Sequence, residues 1–276
     1  MKFIELKGAR VPALGFGTWP LSGADGARAV AEAIAVGYRH IDTAQLYGNE
    51  ADVGQGIAQS GVARGELWVT TKLSRDNLTA ARVASSADES LKKLGLDYLD
   101  LLLIHWPSRA VPLAETLDAM ATLRAAGKIR FIGVSNFTVA LLTEAVGRIG
   151  ADILCDQVEY HPFLDQRAVL GAVRKHGLFL TAYSPVARGQ AGTDETLAAI
   201  GKKYGKSGPQ IALRWLMEQD RVAAIPKAGS RAHMAANLAI FDFELAPEDR
   251  AAIDALGGNN RIVDIAGWSP DWDRAN

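Results

Sequence analysis

A chain of 276 residues, 49% hydrophobic and 22% charged, has ample material for a globular core and room for one large domain. Its formal net charge of −1 supplies no electrostatic footprint for nucleic acid or for an anionic membrane surface. The single cysteine, Cys155, excludes an internal disulfide, and no apolar run approaches the ~18 residues of a spanning helix. With no apolar signal region at the start, the expected address is a reducing cytoplasm.

Residues 2–6 and 9–14 alternate in polarity around Lys7 and Gly8, the pattern of a small hairpin. A glycine-rich strand over 15–18 follows and ends in Thr18 and Trp19. Further strands are predicted near 39–42, 67–71, 99–104, 129–134, 153–158, 178–183 and 222–225. Helical patterns lie between them near 24–36, 50–60, 79–94, 112–126, 138–148, 165–176, 194–204 and 209–218, with another after 231. Asn77 or Thr79 starts one helix, and Gly127 and Gly177 end two others. Eight short strands, each followed by helix, predict an α/β fold: a (β/α)8 TIM barrel with the hairpin closing its bottom and a short C-terminal tail. An open doubly wound sheet is the alternative. It is disfavoured because no Gly-x-Gly-x-x-Gly follows the first strand, and polar residues end nearly every strand rather than gathering at one crevice. No linker, low-complexity tract or charge block divides the chain, so 1–276 reads as one domain.

In such barrels function collects at the carboxyl ends of the strands. The stretch from Gly37 to Glu50 is the most telling: its strand ends in Asp42, its polar loop carries Tyr47, and Asn49 and Glu50 open the next helix. The next strand ends in Lys72, and the one after it in His105, followed by Trp106. Later strand ends supply Ser135 and Asn136, Gln157 and Glu159, Tyr183 and Ser184, and Lys227. Each residue alone has an ordinary reading. Asp42 could cap a helix, Lys72 could snorkel to the surface, His105 could be a satisfied core group and Tyr47 could pack. Together, on three consecutive strands of one face, they predict a shared site.

The chemistry open to that set is restricted. Lysine and phenol are poor metal ligands, and no histidine pair has ligand spacing, so no metal is expected. No nucleophile elbow places a serine beside His105. A Schiff-base lysine at position 72 remains a competitor. The stronger account makes Tyr47 a proton donor. An ammonium about 4 Å away, at an effective dielectric near 20, would favour the phenolate by about 4 kcal/mol, or roughly three pKa units. Asp42 would keep Lys72 charged, and His105 would orient a carbonyl oxygen near Tyr47. Such a set turns a carbonyl into an alcohol only if the carbon receives a hydride. No side chain can supply one, so a nicotinamide cofactor is implied.

The motifs that carry these residues resemble the aldo-keto reductase family along essentially the whole chain. They are Leu14 to Trp19, Gly37 to Ala44, Leu46 to Glu50, Thr70 to Leu73, Tyr98 to Pro107, Gly133 to Phe137, Gln157 to Pro162, Tyr183 to Pro185, and Ile225 to Lys227. The resemblance implies a catalytic tetrad of Asp42, Tyr47, Lys72 and His105, and reduction of small aldehydes and ketones with NADPH. It implies that Ser135, Asn136 and Gln157 hold the nicotinamide carboxamide and that Tyr183 stacks on the ring. Ser184 and Lys227 are expected at the cofactor phosphates, with Thr18, Trp19, Asp42, Ser230, His233 and Asn237 completing the cofactor contacts. The family also contains cofactor-bound regulatory subunits, a second reading that the intact tetrad disfavours.

Two departures stand out. Where the family has a hydroxyl after the lysine this chain has Ala228, and where it has an arginine for the 2′-phosphate it has His233. An imidazole is a weaker phosphate partner than a guanidinium fork, so NADH is expected to be tolerated. Loops after His105 and Tyr183 are short and the tail is brief, as in the short bacterial branch that includes 2,5-diketo-D-gluconate and methylglyoxal reductases. Trp19, Tyr47, His105, Trp106 and Trp268 are expected to line an open substrate pocket of broad range, with simple packing of the tail against the barrel an equal alternative for Trp268 and Trp272. Nothing calls for an obligate oligomer, so a monomer is expected.

Overall fold

The computed structural model describes residues 2–273. Strands β1 (Phe3–Leu6) and β2 (Ala9–Pro12) pair antiparallel around Lys7 and Gly8, both at positive φ (49° and 78°), as a two-residue hairpin turn requires. Eight further strands follow: β3 (Phe16–Gly17), β4 (His40–Asp42), β5 (Trp68–Leu73), β6 (Leu99–Ile104), β7 (Ile129–Ser135), β8 (Cys155–Glu159), β9 (Phe179–Tyr183) and β10 (Val222–Ala224). They form one parallel sheet in sequence order, β3 through β10. Between them run α1 (Gly23–Val36), α2 (Glu50–Ser60), α3 (Ala80–Leu94), α4 (Leu113–Ala125), α5 (Val139–Leu142), α6 (Arg167–Lys175), and the pair α7 (Glu195–Tyr204) and α8 (Gly208–Glu218). After β10 come α9 (Arg231–Leu238) and α10 (Pro247–Asp254). The sheet is curled as in a (β/α)8 barrel. At its two edges Gly15 N donates to Ala224 O (2.8 Å), Ala224 N donates to Ala13 O (2.8 Å), and Leu14 bridges Ala224 in parallel.

Strands buried on both faces lose the usual polar alternation, which is why β6 reads Leu-Asp-Leu-Leu-Leu-Ile. Its one charge, Asp100, is fully buried and fully answered: Arg64 Nη2 (2.7 Å), Arg130 Nη1 (2.9 Å) and Val69 N (2.9 Å) all donate to it. Glycine is needed where the first and last strands approach. A Cβ on Gly17 would lie 2.7 Å from the backbone oxygen of Ile225, and one on Gly15 would lie 2.8 Å from the His40 ring. Gly17→Ala is therefore expected to cost about 1–3 kcal/mol as the strands separate, read as a lowered Tm in thermal denaturation.

The helix predicted over 138–148 is α5 followed by a wider turn with i→i+5 bonding over Thr143–Arg148. Thr143 Oγ1 donates to Val139 O (2.8 Å), a back-bond that loosens a helix at that turn. The described residues also include α10, which the predicted elements lack, although Pro247 at its start and Glu248 and Asp249 in its first turn are helix-start signals. Thr79 occupies the residue before α3, whereas the Asn77 side chain turns away to Gln45. Gly127 and Gly177 each stand at positive φ (74° and 67°), just past α4 and α6.

Candidate active site

The carboxyl ends of β4, β5 and β6 bring Asp42, Tyr47, Lys72 and His105 together. Asp42 is the last residue of β4, and its neighbour in register on β5 is Thr70, two residues before Lys72. Lys72 is completely buried, and its ammonium uses all three donors: Asp42 Oδ1 (2.5 Å), Thr43 O (2.7 Å) and Tyr47 OH (3.3 Å). The second carboxylate oxygen of Asp42 accepts from Gln157 Nε2 (2.7 Å), so neither partner of the ion pair is left half-bonded in the interior. Burial alone would lower the Lys72 pKa. Asp42 and Tyr47 more than offset it, and the lysine is held above its ordinary 10.5.

Tyr47 departs from expectation. The ammonium does pull the phenol down, but burial acts more strongly in the opposite direction and Asp42 adds to it, so the Tyr47 pKa lies above 10.0 instead of three units below. Lys72 is closer than the assumed 4 Å, yet Asp42 sits at 2.5 Å on the same ammonium, so the phenol meets a paired charge. Tyr47 is thus a proton carrier at neutral pH and not a phenolate. His105 stands edge-on to the Tyr47 ring, with centroids 5.6 Å apart. Burial, reinforced by Lys72, drives its pKa well below 6.5, so the imidazole is neutral; its Nδ1 is buried with no partner among the described residues.

The ends of β7, β8 and β9 carry a second, continuous polar network. Asn136 stands at φ 63°, a left-handed conformation that non-glycine residues rarely hold without reason. Its amide donates to His105 O (3.0 Å) and Ser135 Oγ (3.2 Å), and its oxygen accepts from Tyr183 OH (2.8 Å). Ser135 Oγ donates to Gln157 O (2.7 Å). Ser184, next along β9, is also left-handed (φ 49°). Beyond β10, Lys227 and Ser230 are exposed, Ala228 is buried, and Ser230 Oγ accepts from His233 N (3.3 Å) to cap α9. His233 is exposed in the first turn of that helix, whereas Asn237 is partly buried, and the Tyr38 hydroxyl donates to Met234 O of the same helix (3.3 Å). Thr18 is fully buried against Asn49, and Trp19 is 50% exposed with the Arg188 guanidinium 5.3 Å from its ring centroid.

An aromatic wall leads away from His105. Trp106 stacks beside it (6.5 Å) and meets Trp268 (6.5 Å) and Trp272 (6.2 Å) of the tail edge-on. Trp272 therefore packs against the same indole as Trp268. Glu159 holds the tail, accepting from Ile262 N (2.7 Å) and Val263 N (2.8 Å) while His161 bonds its side (3.0 Å). Its strand-end position was visible in sequence, but that role was not. Asn49, expected to open α2, occupies the position before that helix, yet its side chain spans loops instead: it donates to Leu21 O (2.8 Å) and accepts from Thr43 Oγ1 (2.8 Å). Among the described residues no group of three His, Cys, Asp or Glu could hold a metal ion, and no helix is long and apolar enough to cross a membrane.

Comparison with known proteins agrees with this architecture. The chain is 42% identical over 266 residues to the methylglyoxal reductase DkgB of Salmonella typhi, covering 95% of this chain and 99% of that one. It superposes on the crystal structure of a putative 2,5-diketo-D-gluconic acid reductase B with a TM-score of 0.96 at 46% identity, covering 99% and 98% of the two chains. A Bombyx mori aldo-keto reductase solved in complex with NADP gives a TM-score of 0.88 at 38% identity over 98% of each chain. The model of the aldo/keto reductase family matches residues 13–257, and the chain belongs to that family of carbonyl-reducing oxidoreductases.

Proposed function

We propose that this protein reduces small aldehydes and ketones with NADPH, with Tyr47 as the proton donor, in one closed barrel domain spanning 1–276. The observation that carries the reading is the buried ammonium of Lys72, with its three donors spent on Asp42, Thr43 and the Tyr47 hydroxyl. A purely structural role would not need a lysine kept charged in the interior beside a phenol. Closure is supported by the bonds between residues 13–15 and Ala224. The same lysine speaks against a Schiff-base aldolase, because a nucleophilic amine needs a lowered pKa and Lys72 is held high.

The residues present suit a nicotinamide dinucleotide. Ser135, Asn136 and Gln157 gather amide and hydroxyl groups that match a carboxamide, Tyr183 offers a ring, and Lys227 with the capped start of α9 suits phosphate. When bound, the cofactor supplies the hydride that no side chain can. The protein's part is acid catalysis and orientation. Tyr47 donates its proton to the carbonyl oxygen as charge develops there, and Lys72 stabilises the phenolate left behind. Neutral His105, edge-on to the Tyr47 ring, orients the oxygen without competing as an acid. Asp42 keeps Lys72 charged through the cycle.

The substrate class supported by the relatives is 2-oxoaldehydes and keto-sugar acids, with aromatic aldehydes suited to the wall of Trp106 and Trp268. Because Ala228 and His233 replace the usual 2′-phosphate contacts, and an imidazole is a weaker phosphate partner than a guanidinium fork, the advantage of NADPH over NADH is small. Cofactor oxidation is measured with methylglyoxal and a nitrobenzaldehyde, using each cofactor in turn. No oxidation of either cofactor would sink the reductase, and a large preference for NADPH would sink the reading of Ala228 and His233. The protein is further proposed to be monomeric and cytoplasmic, consistent with its one buried thiol.

A further inference from the structure

The side chain of Gln45 makes four hydrogen bonds and holds no place in the chemistry described above. Its Oε1 accepts from the backbone nitrogen of Ser74 (2.8 Å) and from Asn77 Nδ2 (2.9 Å). Its Nε2 donates to Ser86 O (3.2 Å) and to the buried Ser90 Oγ (3.1 Å) on α3. The side chain's acceptor and donor are both spent on segments remote in sequence. Gln45 lies two residues before Tyr47, and Ser74 lies two residues after Lys72. The bond between them therefore closes a ring: Tyr47 turn, Gln45, Ser74, Lys72, and across the 3.3 Å gap back to the Tyr47 hydroxyl.

We propose that Gln45 is a positioning residue that sets the distance between the Tyr47 hydroxyl and the Lys72 ammonium. Tyr47 sits on a three-residue turn (Gln45–Tyr47), and its flanking neighbours give that turn little anchorage. Leu46 is 48% exposed and Gly48 stands at φ 68° with open space around it. Lys72, by contrast, is locked in a fully buried strand. An amide that grips the end of that strand registers the turn on the strand. Loss of the grip lets the phenol move away from the ammonium, which weakens Lys72's downward pull on its pKa. The same turn after β5 also reaches the tail, through Arg75 Nη1 on Gly267 O (2.5 Å), so the acid is registered on the loop that borders the substrate side.

This inference rests on Tyr47 being the acid, and a double-mutant cycle separates the two claims. Gln45→Met keeps the length of the side chain and removes its polar atoms, while Gln45→Glu keeps an acceptor for Ser74 and Asn77. Gln45→Met is expected to lower kcat about 10- to 100-fold, with KM for the carbonyl and Kd for NADPH within twofold. The alkaline fall in kcat/KM should move to higher pH. Gln45→Glu should recover most of kcat, and Gln45→Met should cost nothing further in a Tyr47→Phe background. A fall in Tm with kcat and the pH profile unchanged would overturn the proposal, as would full additivity with Tyr47→Phe. If Tyr47→Phe itself retained wild-type kcat, the reading of Tyr47 as the acid would fail, a result distinguishable from failure at Gln45.

Discussion

Tyr47→Phe should cut kcat for carbonyl reduction about 10³-fold while NADPH binding, read from tryptophan-fluorescence quenching, changes no more than twofold. Among the described residues the phenol is the proton donor placed on the ammonium of Lys72, whereas the contacts proposed for the carboxamide, the nicotinamide ring and the phosphates lie on the ends of β7 to β10 and do not use its oxygen. The substitution removes a hydroxyl and keeps the ring, so the edge-on packing against His105 survives and the loss reports chemistry. The wild-type pH profile follows from the same environment. Burial, partly offset by Lys72, holds Tyr47 above 10.0, so it stays protonated and kcat/KM should be level across neutral pH. The rate should fall only as pH rises through the phenol's own pKa. An inflection near 6.5 is absent from this expectation, because burial and Lys72 keep His105 neutral well below that value. Retention of more than about a tenth of kcat in Tyr47→Phe would remove the phenol from the mechanism, and a clear acid limb at pH ~6.5 would do the same for a neutral His105.

The error over Tyr47 shows where sequence reasoning stops. Charges can be counted along a chain, and Lys72 and Asp42 were rightly placed on adjacent strands. Desolvation and pairing cannot be counted that way, because they depend on how closely Asp42 approaches the ammonium and how much water the barrel mouth excludes. Strands were legible because burial on both faces leaves a plain apolar run, as in β6 and β9, and their ends were located to within a residue or two. The wider turn over Thr143–Arg148 was not, since a side-chain back-bond leaves no trace in hydrophobic period. Thr43 accepts from Lys72 only through its carbonyl oxygen, a group every residue has, so no sequence signal could single it out. Gln45 and Glu159 are the intermediate case. Their residue types are visible, but the partners that give them purpose, Ser74 for one and the tail nitrogens of Ile262 and Val263 for the other, come from loops whose approach only the fold defines.

Asp42→Ala is the substitution with the largest expected effect on stability. It strands a fully buried ammonium with a backbone carbonyl and a phenol in place of a carboxylate, and it leaves the Gln157 amide without its acceptor. Breaking one side of a buried pair typically costs ~3–5 kcal/mol, a large share of a domain's stability. The pH dependence distinguishes this account from a simple cavity. In the wild type, burial would lower the Lys72 pKa, but Asp42 and Tyr47 raise it above 10.5. The stability that Lys72 contributes is therefore complete below 10.5 and lost as pH rises through the folded-state value. Without Asp42 burial dominates, the folded-state pKa falls below 10.5, and the unfolded chain binds the extra proton. Stability of the variant should then rise with pH toward 10.5, opposite in sign to the wild type. Adding Lys72→Met should recover most of the lost stability by removing the stranded charge, and should recover no activity, because the phenolate would then have no counter-charge. Chemical denaturation of both variants at neutral and alkaline pH measures each term. A cavity at position 42 with no charge effect would give a pH-independent loss that Lys72→Met could not repair.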